Sequence, residues 1–211
     1  MSTSSEPHWP PLATLAAAIA LETLLPDRLA LGPYWLLPAL EAVLGVLLVV
    51  ASPFRISAPH AARRRLSVLV AAVVSIDNGI SLGLLCHLLF HRNVTNGQEL
   101  IVSGALIWLT NVLVFSLWYW ELDRGGPGAR AAGADQAPDF LYPQMTDGVP
   151  SDAAWRPQFM DYLYLSLTNA TAFSPTDVMP LSRAAKGVMS LQSLISLVTM
   201  GLVISRAVNI L

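Results

Sequence analysis

Charge, cysteine and a basic start are the three things this chain is short of, and each shortage excludes something. Asp, Glu, Lys and Arg together make 12% of the 211 residues, where a soluble domain carries about a quarter. The net charge of −2 leaves no basic footprint, so nucleic acid is not an expected partner. A lone cysteine, Cys86, forms no intramolecular disulfide, and no Cys/His set has the spacing of structural zinc. The opening MSTSSEPHWPPL contains no Lys or Arg. A secretory signal begins with a basic stretch, so the first apolar run is expected to be retained. No nucleophile elbow, zinc-protease helix, phosphate loop or dinucleotide fingerprint occurs. The expectation is a non-enzyme with no cofactor and no metal set.

What remains is apolar. Hydrophobic residues make 54% of the chain and mean hydropathy is +0.55, the composition of an integral membrane protein. A spanning helix takes about 20 apolar residues. Runs of that order lie at 12–25 (extended by Trp9, Pro10 and Pro11), 34–51, 66–90, 100–120 and 184–211. The expected fold class is therefore all-α, with five transmembrane helices. A shorter amphipathic run at 162–171 precedes a polar turn at 172–182. Half-helix, turn and full helix together predict a re-entrant hairpin, a form of backbone tolerated at membrane depth only where protein covers it or water reaches it.

The organisation expected is a tail at 1–11, three spans within 12–99 and a hairpin-bearing module at 100–211. In that module, 121–161 is the one long polar stretch. Its first half is rich in Gly, Ala and Pro and reads as mobile linker. Its second half carries Phe140, Tyr142, Trp155 and Phe159 and is expected to fold back onto protein or membrane surface. Seven acids (Glu121, Asp123, Asp135, Asp139, Asp147, Asp152, Asp161) stand there against Arg124, Arg130 and Arg156. A solvated loop is the plain reading and a cation-attracting vestibule the sharper one. With the N-terminus in the cytoplasm, nine Lys and Arg fall inside and three outside. That bias puts the N-terminus and 121–161 on the cytoplasmic side of the membrane.

The segment YLYLSLTNATAFSPTDVMPLSRAAKGVM resembles the pore module of potassium channels. Asp177 falls on the aspartate after the filter, Pro180 on the proline of the following turn and Lys186 on the basic residue opening the inner helix. Tyr164 and Leu165 fall on the pore-helix tryptophan pair, and Thr171 on the threonine before the filter. The stretch from Met200 to Val203 is similar to a motif in some bacterial channels. The resemblance implies an oligomeric cation channel, a tetramer by preference, whose filter-like turn is Thr171, Ala172, Phe173, Ser174, Pro175, Thr176 and Asp177. Ser196 and Gly201 become the candidate hinge positions of the inner helix. The filter departs from the family pattern, because Ser174 and Thr176 replace the glycines that permit its backbone angles and Pro175 removes an N–H. The chain is also similar throughout to a group of small bacterial membrane proteins without an assigned activity.

Intramembrane ionisable residues default to functional hypotheses. Asp77 sits near the middle of the third apolar run and Glu41 in the first half of the second. Both are candidates for binding a cation or relaying a proton. Glu22, near the end of its run, is expected to reach the interface. His87 and His91 share a helix face but lack a third ligand, and Asn111 reads as a helix–helix hydrogen bond. Ser166, Asn169, Gln192, Ser193 and Ser196 are either packing contacts between helices or the wall of a water-lined path. Three functions follow: a channel-like protein, an ion- or proton-coupled transporter using Asp77 and Glu41, and a non-conducting subunit of a membrane complex.

Overall fold

In a computed structural model, the described residues are 7, 9–30, 32–33, 35–51, 60–90, 97–134, 136–146, 155–172 and 177–208. Among the described residues the fold is all-α apart from one minimal strand pair. Helices run α1 Trp9–Glu22, α2 Leu36–Ala51, α3 His60–Phe90, α4 Gly97–Leu122, α5 Pro127–Ala131, α6 Phe159–Ala172 and α7 Arg183–Val208. Strands β1 Phe140–Leu141 and β2 Met179–Pro180 pair antiparallel, Phe140 opposite Pro180 and Leu141 opposite Met179.

The organising helix is α4. Its sequence, GQELIVSGALIWLTNVLVFSLWYWEL, is mostly apolar, and most of its second half is buried among the other helices, Val114 and Tyr119 completely. It packs against α1 and α3 on one flank and α6 and α7 on the other, with α2 laid on α1 and α3. Large apolar side chains cover the outer face of α2 (Val43, Val46, Leu47) and of α7 (Leu191, Leu194, Leu197). Such faces suit lipid, not water.

Three helices are long and apolar enough to cross a membrane: Ala62–Leu89, Gly97–Gly125 and Arg183–Arg206. They coincide with the third, fourth and fifth runs read from sequence. The first two runs form shorter helices, 14 residues in α1 and 16 in α2, or about 21 and 24 Å at 1.5 Å per residue.

The expected linker is not one. Glu121 and Leu122 complete α4, a 3₁₀ turn follows at Asp123–Gly125, and α5 begins at Pro127. Proline at a first helical position gives up an N–H that would be orphaned anyway. The turn is fixed by a reciprocal exchange. Asp123 Oδ1 accepts the Asp139 N–H at 2.9 Å, and Asp139 Oδ2 accepts the Arg124 N–H at 3.0 Å. Arg124 itself has φ of 51°. Asp123 is fully buried and also accepts from Tyr162 Oη at 2.7 Å. This acid is an internal fastener, not part of a solvated loop or a vestibule.

The aromatic half of the segment folds back onto protein, as its composition predicts. Phe140 sits edge-on between Tyr119 and Tyr162, and Tyr142 against Trp155 and Tyr162. Arg130 lies 5.4 Å from the Tyr162 ring centre and donates to the Trp120 and Asp123 carbonyls. The cation thus caps the end of α4 while stacking on the cluster. Burial pushes the Tyr142 hydroxyl above the ordinary phenol range.

Candidate functional site: a buried carboxylate triad

α1 ends on Glu22, the loop through Pro26, Gly32 and Pro33 turns the chain, and α2 returns with Glu41 as its sixth residue. Antiparallel helices joined this way bring residues near the turn to one depth. Asp77 meets them from the middle of α3. One carboxylate oxygen from each lies within 4.8 Å of the others, and all three side chains are buried. Both oxygens of Glu22 and both of Glu41 lack a hydrogen-bond donor among the described residues.

That arrangement cannot hold three bare charges. At 4.8 Å each ionised pair repels by about 3 kcal/mol at an effective dielectric constant of about 20, and burial adds desolvation. With no donor to Glu22 or Glu41 among the described residues, the carboxylates must share protons among themselves or surround a cation. Buried acids grouped in this way have the chemistry to hold a shared proton or a cation.

The surroundings give the triad an approach. A cavity of about 20 Å³ is lined by Glu22, Leu29, Pro33, Pro38, Asp77 and Ser81, which is room for about one water. It lies toward the loop joining α1 to α2. Two contacts fix that loop: Ser81 Oγ donates to the Leu29 carbonyl at 3.0 Å, and Arg28 pairs with Glu99 at the start of α4. Asn78, beside Asp77, is buried with an unpartnered Oδ1.

Of the site residues expected from sequence, the structure brings Asp77 and Glu41 together and adds Glu22. The expectation that Glu22 reaches the interface is corrected. Its side chain is 6% exposed, because α1 stops there and the returning α2 covers it. The available signal was a pair of acids flanking a short Pro-containing loop, one at its start and one soon after it.

The hairpin residues have a different character. Thr171 is exposed and donates to the Leu167 and Thr168 carbonyls, and Asp177 is exposed. Phe173, Ser174, Pro175 and Thr176 lie outside the described residues, as does the side chain of Ala172. Of the hinge candidates, Ser196 is buried and accepts from Asn111 Nδ2 at 2.9 Å, while Gly201 is exposed with open space around it. His91 is not described, and His87 is exposed.

The polar residues of α6 and α7 form a closed network with α4. Gln192 accepts from Tyr119 Oη and from Asn169 Nδ2 and donates to Ser166 Oγ at 2.7 Å. Ser166 Oγ donates to the Val112 carbonyl, Asn169 to that of Met189, and Ser193 to Asn169 Oδ1. Donors spent on neighbours mark helix packing. This set is the mortar between α4, α6 and α7.

Comparison with family models, with curated proteins and with solved structures finds no match.

Proposed function

We propose that the chain is an integral membrane transporter-like protein that takes up protons or a small cation at Glu22, Glu41 and Asp77 and couples that uptake to transport. One observation carries the reading: three buried carboxylates from three helices converge within 4.8 Å, and two of them have no hydrogen-bond donor among the described residues. In this reading α1 and α2 complete a set of five spans with α3, α4 and α7. The N-terminus is cytoplasmic, so the loop between α1 and α2 and the small cavity beneath it face outward. The test is ion- or pH-gradient-driven flux in liposomes. Asp77→Asn abolishes it, whereas Ser174→Ala and Pro175→Ala leave it intact. Flux that survives Asp77→Asn, or that is lost on changing Ser174, removes this reading.

A second reading keeps the hairpin as a pore loop in a homotetrameric cation channel. It is favoured by the way α6 begins and the turn after it ends at one end of α4: Tyr162 bonds to Asp123, and β2 pairs with β1 beside Tyr119. The half-helix, about 21 Å at its 14 residues, would enter and leave on that one side. By Lys and Arg placement that side is the cytoplasm, opposite to the potassium-channel arrangement. A purified tetramer passing cations supports this reading, and a monomer without cation flux removes it.

A further inference from the structure

Glu41 is fully buried and Glu22 is 6% exposed, yet none of their four oxygens meets a donor among the described residues. Asp77 brings a third carboxylate oxygen to within 4.8 Å of theirs. A shared proton joins two oxygens, whereas three oxygens from three helices converging on one point begin a coordination shell. Opposite ligands lie about 4.2 Å apart around Mg²⁺ and up to about 5.2 Å apart around Ca²⁺. The triad has the width of such a shell.

The backbone around the triad is set for a cation as well. α1 ends at Glu22 and so points the negative end of its dipole there. The start of α2, where free N–H groups would favour an anion, gives these acids nothing. The Leu36 and Ala39 N–H groups bond to the Pro33 and Trp35 carbonyls, and Pro38 has no N–H. The cavity that opens onto Glu22, Asp77 and Ser81 has room for about one water, which would supply a further ligand.

Charge and donor type select the ion. Among the described residues no Lys or Arg lines the cavity, and Arg28 in the adjoining loop is spent on Glu99. Ionised, the triad carries three negative charges. A monovalent ion leaves two of them buried and uncompensated. A divalent ion leaves one, which a single retained proton cancels. Every ligand atom of the triad is a carboxylate oxygen, and no His, Cys or Met stands among the described lining residues. Oxygen-only sets of this kind suit Mg²⁺, Ca²⁺ and Mn²⁺, not softer metals.

We propose that Glu22, Glu41 and Asp77 bind one hard divalent cation, each giving a carboxylate oxygen, with water from the adjoining cavity as a further ligand. That the bound ion is also the one transported rests on the transport reading; its binding does not.

The test uses Mn²⁺ alone, added to the full chain in detergent after treatment with chelator and removal of the chelator. Bound Mn²⁺ loses the sharp six-line resonance of the free ion, which counts it. The expected result is saturation at one ion per chain, displaced by Ca²⁺ but not by Na⁺ at the same concentration. Binding weakens as pH falls, because protons compete for the ligands. Asp77→Asn and Glu41→Gln each lower the affinity by about 100-fold or more, past the roughly 10–100-fold that losing an outer partner of a ligand costs. Asp27→Asn, at an exposed acid of the nearby loop, leaves it unchanged. No saturable binding to the unmodified chain overturns the proposal, whether or not a variant folds. So does displacement by Na⁺ as readily as by Ca²⁺, or binding that survives both substitutions. Proton-driven flux from a chain that binds no Mn²⁺ overturns the divalent site and leaves the transport reading in place, with the proton as its ion. One bound Mn²⁺ without flux supports the site and removes the transport reading.

Discussion

Gln192 on α7 holds Ser166 on α6 at two points, Nε2 donating to the hydroxyl at 2.7 Å and to the main-chain carbonyl at 3.0 Å. Both residues are fully buried. The amide therefore secures the short helix to the long one by its backbone as well as by its side chain. Removing it takes the acceptor from the Tyr119 hydroxyl proton and a partner from Asn169 Nδ2. Gln192→Leu is expected to cost about 2–4 kcal/mol, the penalty for one or two buried groups left unsatisfied. Thermal melting in detergent reads it as a fall in Tm. An unchanged Tm would mean that water replaces the amide and that the interface is wetter than its packing implies.

Gly104 on α4 faces Val203 on α7 so closely that a Cβ there meets Val203 Cγ2. Small residues at such crossings let membrane helices approach. Gly104→Leu is expected to force α4 and α7 apart and cost about 1–3 kcal/mol, as overpacking does. Val203→Ala in the same chain should restore part of that loss. Additive effects of the two changes, measured as a double-mutant cycle, would show that the two helices do not meet there.

The triad makes an opposite prediction for stability and for activity. Glu22→Gln removes one of three mutually repelling groups and gives its neighbours an N–H donor. The fold is expected to gain about 3 kcal/mol or less, the repulsion of one ionised pair at an effective dielectric constant of about 20, while gradient-driven flux falls. Melting and flux on one preparation check both arms. A variant that loses stability along with flux would make the triad a structural cluster.

At the start of α6, Asp161 Oδ2 accepts the Gln158 N–H at 2.7 Å, yet burial outweighs that bond and raises its pKa above the ordinary 3.8. A carboxyl whose folded-state pKa is raised binds its proton more tightly when folded. Its contribution to stability is full below the unfolded pKa and is lost as pH rises through the folded one. Asp161→Asn keeps an acceptor and removes the titration. It is expected to leave stability near pH 3 unchanged and raise it at pH 7, by an amount that solvent screening keeps small at this half-buried group. A larger gain at pH 3 than at pH 7 would reverse the sign.

The spans of α3, α4 and α7 were legible because unbroken apolar length is a property of the chain itself. Asp77 and Glu41 were legible for the same reason, as charges stand out inside such runs. Glu22 was not, because its burial depends on where α2 lies, and no local pattern carries that. Nor was α5. Gly125, Gly126 and Gly133 read as flexibility when counted, but each takes a positive φ at a defined turn, and Pro127 between them opens a helix. Asp123 was hidden by its company, one acid among seven, until Tyr162 and Asp139 were placed around it.

The two-residue ladder between β1 and β2 has a consequence for how the hairpin can vary. It ties the backbone before α6 to the backbone after it, and Leu181 N adds a bond to the Asp139 carbonyl at 2.8 Å. The two ends of the segment that carries α6 are thus held together by main-chain bonds, which no side-chain substitution short of proline removes. A change at Phe140, Leu141 or Met179 alters what packs on the ladder and leaves the bonds that close it in place.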